Sequence, residues 1–291
     1  MSTRTIETTD GRTLLIHEAG DPAGELVLVH HGTPTDGSLY GPWVEDATQR
    51  GIRLVGYDRP GYGGSSRHPG RRVADAARDA ETIATALGAD RFATWGISGG
   101  GPHTLACATL LPGKVVAAVS LASPAPYGAE GLDWLAGMGE GNVVELGAAL
   151  EGEDALRPLL EQETAAMLAA SPEQIKDEME TVLSPLDYET LTGGLARHIH
   201  DSTQGALGGG VDGWLDDDLA FAADWGFDPS DVAVPTLIWQ GEHDLMVPPA
   251  HARWLGARVP QAEFRFSEDE GHITLYERGI PAVHEWLLRF F

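Results

Sequence analysis

Ser98 stands in the run Trp95-Gly96-Ile97-Ser98-Gly99-Gly100-Gly101-Pro102, which contains Gly-x-Ser-x-Gly at positions 96, 98 and 100. The apolar run 92–97 ahead of it predicts a strand, and residues 100–111 behind it predict a helix. A strand that turns sharply into a helix holds the serine in a strained backbone conformation with its hydroxyl projecting. Side chains at Gly96 and Gly100 would clash across so tight a turn. The helix start behind Ser98 supplies free N–H groups and a positive dipole end where negative charge develops in acyl transfer. Pro102 suits a first helical turn, where its missing N–H is not needed. The same five residues also fit a phosphate-binding turn or a plain packing turn, so the serine needs partners elsewhere.

The other reactive residue types narrow the chemistry. The single cysteine, Cys107, excludes an internal disulfide and lies in the apolar stretch HTLACATLL, where a packed thiol is expected. There is no Cys/His metal spacing and no phosphate-binding glycine loop followed by lysine, so no cofactor is expected. The formal net charge of −25 repels phosphate backbones and anionic lipid, which argues against nucleic acid and membrane as partners. No stretch approaches the roughly 18 apolar residues of a membrane helix. The start, MSTRTIETTDGRTLL, lacks the basic region and apolar run of a signal peptide, so a cytoplasmic protein is expected.

The elements that must position Ser98 are legible as an alternation. Strands are predicted at 13–18, 26–30, 53–57, 92–97, 115–123, 234–241 and 262–268. Helices are predicted at about 72–87, 100–111, 249–258 and 276–290. Near-continuous apolar strands alternating with helices indicate an α/β fold, with a mostly parallel central sheet covered on both faces. An early antiparallel hairpin from residues 5–30 would sit at one edge. The alternation stops over residues 125–232, which hold 23 Asp or Glu against 3 Lys or Arg, a net of −20. This stretch reads as helical and contains no convincing strand. The expected organisation is a core of 1–124 and 233–291 interrupted by a helical, acidic insertion at 125–232.

Three further segments carry a resemblance. The strand LVLVH ends in His30-His31-Gly32-Thr33-Pro34; TLIWQ is followed by Gly241-Glu242-His243-Asp244-Leu245-Met246-Val247-Pro248; and the next strand is followed by Glu268-Asp269-Glu270-Gly271-His272. With the turn at Ser98, these make the chain resemble the α/β-hydrolase superfamily over nearly its whole length. The resemblance implies Ser98 as nucleophile, Asp244 as acid and His272 as base, in the family's chain order. It also implies an oxyanion hole made by the backbone N–H groups of Thr33 and Gly99. In those roles His272 takes the Ser98 proton and returns it to the leaving group, while Asp244 fixes the imidazole tautomer. Glu242, Glu268, Asp269 and Glu270 are competing carboxylates that read as solvated surface. His30 and His31 read as structural, and His103 as packed behind Ser98. The loop Asp58-Arg59-Pro60-Gly61-Tyr62-Gly63-Gly64-Ser65-Ser66 matches a structural turn of the family and is treated as scaffold.

Serine at the elbow, where haloalkane dehalogenases and epoxide hydrolases carry aspartate, implies an acyl-enzyme route on a small-molecule acyl substrate, an ester or a lactone. In this fold a helical insertion before the acid strand is a cap that selects substrates. Its apolar residues Trp134, Leu135, Met138, Met167, Leu168, Trp214, Leu215, Phe221, Trp225 and Phe227 are divided between core packing and pocket in a way the sequence does not reveal. Two alternatives stay open. An acidic cap suits an aminopeptidase similar to the proline iminopeptidases, although their His-Gly-Gly-Pro-Gly and Gly-Gly-Ser-Trp-Gly segments are absent. Some members of the fold also act without hydrolysis, as receptors, lyases or cofactor-free oxygenases.

Overall fold

The computed structural model describes residues 1–291 and contains one eight-stranded sheet. Its strands are β1 (Ser2–Glu7), β2 (Thr13–Gly20), β3 (Glu25–His30), β4 (Ile52–Tyr57), β5 (Phe92–Ile97), β6 (Val115–Leu121), β7 (Thr236–Gly241) and β8 (Glu263–Ser267). They lie in the order β1-β2-β4-β3-β5-β6-β7-β8. β2 pairs antiparallel with β1 and β4, and all other neighbours are parallel. Every residue of β5 and β7 is buried, as strands covered on both faces must be.

Helices α1 (Gly41–Gln49), α2 (Ala76–Ala86) and α3 (Gly100–Leu110) connect the early strands. Between β6 and β7 come α4 (Glu140–Glu151), α5 (Glu153–Ala169), α6 (Ile175–Glu178), α7 (Pro185–Thr190), α8 (Gly193–Leu207) and α9 (Asp212–Phe221), with no strand among them. The chain closes with α10 (Pro249–Arg258), α11 (His272–Arg278) and α12 (Ile280–Leu287). One face of the sheet is filled through Val73, Ile83, Leu105 and Leu255, from α2, α3, α10 and the approach to α2. The other is filled through Trp43, Trp95, Val283 and Trp286, from α1, α12 and the sheet itself. No helix is long and apolar enough to cross a membrane.

Two sequence expectations need correction, and one helix lies outside them. The edge hairpin is confined to β1 and β2, whereas β3 lies inside the sheet between β4 and β5. The physical reason is the run Leu26-Val27-Leu28-Val29: all four are buried, which an edge position could not provide. Helix α1 was not anticipated, because only Trp43 and Ala47 of it are buried and its apolar stripe is correspondingly thin. The closing helix, expected at 276–290, begins at His272 and breaks at Gly279. Pro281 lacks the N–H that a continuous helix would need, so a new helix starts there.

Candidate active site

The turn between β5 and α3 has the geometry its glycines predict. Ser98 adopts φ +55°, a left-handed conformation uncommon for a side-chain-bearing residue. A Cβ on Gly96 would press on the Gly100 carbonyl and come within 2.6 Å of Thr104 Oγ1. One on Gly100 would come within 2.7 Å of the His31 carbonyl oxygen. The strained serine is therefore clamped between two positions that admit no side chain. Its hydroxyl bonds to no protein atom and faces a cavity.

His272 opens α11 beside β7. Its Nδ1–H donates to Asp244 Oδ2 at 2.8 Å, which fixes the tautomer and leaves Nε2 without a protein partner. Burial alone would depress the imidazole's proton affinity; the adjacent Asp244 carboxylate outweighs it, so the pKa lies above the ordinary value, with a smaller push from Asp187. Asp244 is itself held rigidly. Its Oδ1 accepts the N–H groups of Met246 and Val247 at 2.9 and 2.8 Å. Its Oδ2 also accepts from Gln240 Nε2 at 2.9 Å, and Gln240 donates on to the Val247 carbonyl. The competing carboxylates lie elsewhere: Glu242, Glu268 and Asp269 are exposed, and Glu242 pairs with Arg253.

Asp187, from the insertion, was not singled out by sequence. Its carboxylate accepts the backbone N–H groups of His272 (3.0 Å), Ile273 (2.8 Å) and Thr274 (3.1 Å). These are the orphan donors of the first turn of α11, and a carboxylate there also meets the positive end of the helix. A Cβ on Gly271 would lie 2.6 Å from Asp187 Cγ, which explains the glycine before the histidine.

The segment His31-Gly32-Thr33 lies against Ser98. A Cβ on Gly99 would sit 3.1 Å from Thr33 Cβ, so the two proposed oxyanion donors are neighbours. Neither the Thr33 nor the Gly99 backbone N–H donates to a protein acceptor. Buried Arg59 donates to the carbonyls of His31 and Gly32 and to Thr33 Oγ1. Asp217 on α9 neutralises Arg59 and Arg71 and accepts from Tyr62 and Thr33 at 2.8 and 2.9 Å. Arg59 thus braces the proposed oxyanion segment from the turn read as scaffold, and Asp217 ties the insertion to that segment. A signal for this existed in the sequence. Three consecutive aspartates, 216–218, on a helix lined with Trp214, Leu215 and Phe221 cannot all face water. Asp216 pairs with Arg67 instead, and Asp218 faces a cavity.

The histidines read as structural hold backbone positions. His31 Nδ1–H donates to the Gly32 carbonyl, and Nε2 accepts the Arg59 N–H. His103 Nδ1–H donates to the Gly99 carbonyl, and burial pushes its pKa down to about 3. Cys107 is buried beside His30, and its thiol is pushed up by desolvation.

Ser98 borders two cavities. The larger, about 220 Å³, includes Thr33, Gly99, Trp134, Trp214 and Phe221 in its wall, and no lysine, arginine or histidine. The smaller, about 80 Å³, includes His272, Ile199, Ile273 and Tyr276, and no acidic residue. Of the apolar residues in the insertion, Trp134, Met138, Met167, Trp214 and Phe221 face the larger cavity, while Leu135, Trp225 and Phe227 pack into the core and Leu168 and Leu215 within the insertion.

A protein-family model described as alpha/beta hydrolase fold matches residues 25–279. No curated protein sequence matches the chain. Among solved structures it is similar to a thermophilic esterase from Thermogutta terrifontis, at 22% identity and TM-score 0.71, covering 100% of this chain and 99% of that one. It is also similar to the enol-lactonase of Burkholderia xenovorans LB400, at 18% identity and TM-score 0.72, covering 98% and 100%. A third likeness is to a bromoperoxidase from Bacillus anthracis, at 19% identity and TM-score 0.73, covering 99% of each chain. At these identities the likeness is one of fold.

Proposed function

We propose that this chain, which belongs to the alpha/beta hydrolase fold family, is a serine hydrolase that cleaves a carboxylic ester or lactone through an acyl-serine intermediate. One observation carries the reading: Ser98, held at φ +55°, opens into the same cavity as His272, whose other nitrogen is engaged by Asp244. The names of two structural neighbours, an esterase and an enol-lactonase, are in keeping with it.

The chemistry follows from the geometry. His272 Nε2 takes the Ser98 proton as Oγ attacks the carbonyl carbon. The oxyanion is met by the N–H groups of Thr33 and Gly99, which have no competing acceptor to release first. Collapse breaks the bond to the leaving oxygen, which receives the proton from His272. Water, deprotonated by the same imidazole, then hydrolyses the acyl-serine and restores the enzyme. Asp244 stabilises the imidazolium formed in both halves. In this reading residues 125–232 form a cap over a small-molecule acyl substrate.

The test is hydrolysis of a nitrophenyl ester series by wild type and Ser98→Ala at matched folding. Wild type is expected to turn the esters over, with a loss of at least about a thousandfold in kcat on substitution. An organophosphonate probe should label Ser98 alone. Equal rates for the two proteins, or no labelling, would remove the acyl-serine mechanism.

A further inference from the structure

Gln240, the penultimate residue of β7, is fully buried. The strand positions before it, Leu237, Ile238 and Trp239, are apolar and belong to the core. Its Nε2 lies 2.9 Å from Asp244 Oδ2, 3.0 Å from the Val247 carbonyl oxygen and 3.3 Å from that of Gly241. Its Oε1 has no protein donor. A reversed amide would set Oε1 against three oxygens, so the donor end is fixed on Asp244. An unpaired buried acceptor destabilises the fold, and a methionine would fill the same space without one. The glutamine therefore calls for a reason beyond packing.

That reason lies at Asp244. A carboxylate offers about four acceptor positions, and here an N–H faces each. Oδ1 accepts from the backbone of Met246 and Val247, and Oδ2 accepts from His272 and Gln240. Because backbone donors pin Oδ1, loss of Gln240 would not let the carboxylate turn away from the imidazole. Two donors at Oδ2 share its electron density, so Gln240 weakens the hold of that oxygen on the His272 proton. The hold matters: burial lowers the proton affinity of His272, and Asp244, with less from Asp187, raises it past its ordinary value. The other titratable groups around the pair are engaged elsewhere. Asp187 on α7 takes backbone N–H groups of α11, and Tyr276 on α11 bonds with His198 Nε2 on α8 at 3.0 Å. Glu270 lies 3.9 Å from Arg278, His284 on α12 bonds with Asp46, and Asp36 accepts from Ser202. His251 on α10 bonds with Ala125 and Trp134. We propose that Gln240 is a positioning residue acting through Asp244: by donating to the oxygen that holds His272, it limits the carboxylate's pull, so that the neutral imidazole, the form that takes the Ser98 proton, is reached at lower pH.

The experiment follows the His272 ring by NMR from about pH 5 to 10 in wild type and Gln240→Met, at matched folding. Its midpoint should rise by about half a pH unit or more in the variant, the scale of one lost hydrogen bond felt through a carboxylate. The acid limb of kcat/KM should rise with it. A merely structural glutamine would lower the urea midpoint and leave the His272 midpoint where it was, and that result overturns the proposal. Should Gln240→Met fail to fold, the wild type decides. The Gln240 side-chain amide proton bonded to Asp244 should shift along the His272 titration, and a flat response overturns the proposal. The functional consequence rests on the serine-hydrolase reading, but neither NMR readout needs turnover. A raised midpoint without ester hydrolysis keeps the role of Gln240 and removes the hydrolase reading; brisk hydrolysis with an unmoved midpoint does the reverse.

Discussion

The backbone N–H of His272 lies 3.0 Å from the Asp187 carboxylate, and that carboxylate belongs to the inserted helices rather than to the sheet that carries the rest of the site. The proposed base is therefore oriented from two sides. Asp244 grips its ring, and Asp187 grips the helix on which it stands.

If Asp187 acts by positioning, Asp187→Ala should lower kcat by about a hundredfold, the cost of a displacement of order 1 Å at a reacting group. KM should change much less. Because the Asp187 charge also helps raise the His272 pKa, the acid limb of kcat/KM should move to lower pH. Asp187→Asn keeps an acceptor oxygen and should recover part of kcat without restoring the limb. A pH–rate profile of the three proteins checks this, and an unmoved limb would reduce Asp187 to a packing role.

The pH dependence of the wild type has a defined sign. His272 must be neutral to take the serine proton, and the Asp244 carboxylate overcomes burial to hold its pKa above the ordinary value of about 6.5. Activity should thus be present at high pH and fall as pH drops through a midpoint above about 6.5. Asp244→Asn should shift that midpoint down and cost about 10⁴ in kcat. Stopped-time assays of kcat/KM from pH 5 to 9 in both proteins measure the two effects together.

Asp217 is the sole carboxylate paired with buried Arg59 and Arg71. Burial alone would raise its proton affinity, yet the two guanidinium groups hold it well below the usual range. Asp217→Asn should leave two buried cations short of a counter-charge and cost about 3–5 kcal/mol. The urea midpoint is the readout. A loss under about 1 kcal/mol would show that the arginines find other acceptors.

Gly271→Ala would push a methyl group against the Asp187 carboxylate. Overpacking of this kind costs about 1–3 kcal/mol. In the double variant with Asp187→Ala the obstacle is gone, so the two losses should sum to more than the double variant loses. Strict additivity in denaturant unfolding would mean the glycine is needed for another reason.

The candidate site residues stood out in the sequence because they sit at strand ends, where a strand signal and a short motif reinforce each other. Ser98 follows β5, Thr33 follows β3, and Asp244 and His272 follow β7 and β8. Asp187 and Arg59 were not legible as site residues. Their partners are backbone groups far away in the chain, such as the His272 amide and the His31 carbonyl, and nothing in local spacing encodes a contact across 85 residues. Asp217 left a trace in the aspartate run, but a run of charge in an acidic segment reads first as solvated surface. That Trp134 and Trp214 border the larger cavity while Trp225 does not was likewise invisible, since all three stand beside acidic residues in one acidic segment.

The insertion touches both loops that would do the chemistry, through Asp217 at the Thr33 segment and Asp187 at the His272 helix. It is consequently a poor candidate for exchange as a module. A chimera that exchanges residues 125–232 for another segment, in order to acquire a new substrate range, would need carboxylates at these two places. Without them it would carry a new pocket above a loosened His272 helix and Thr33 segment. Recombination at this insertion has to treat Asp187 and Asp217 as part of the core, although the chain places them outside it.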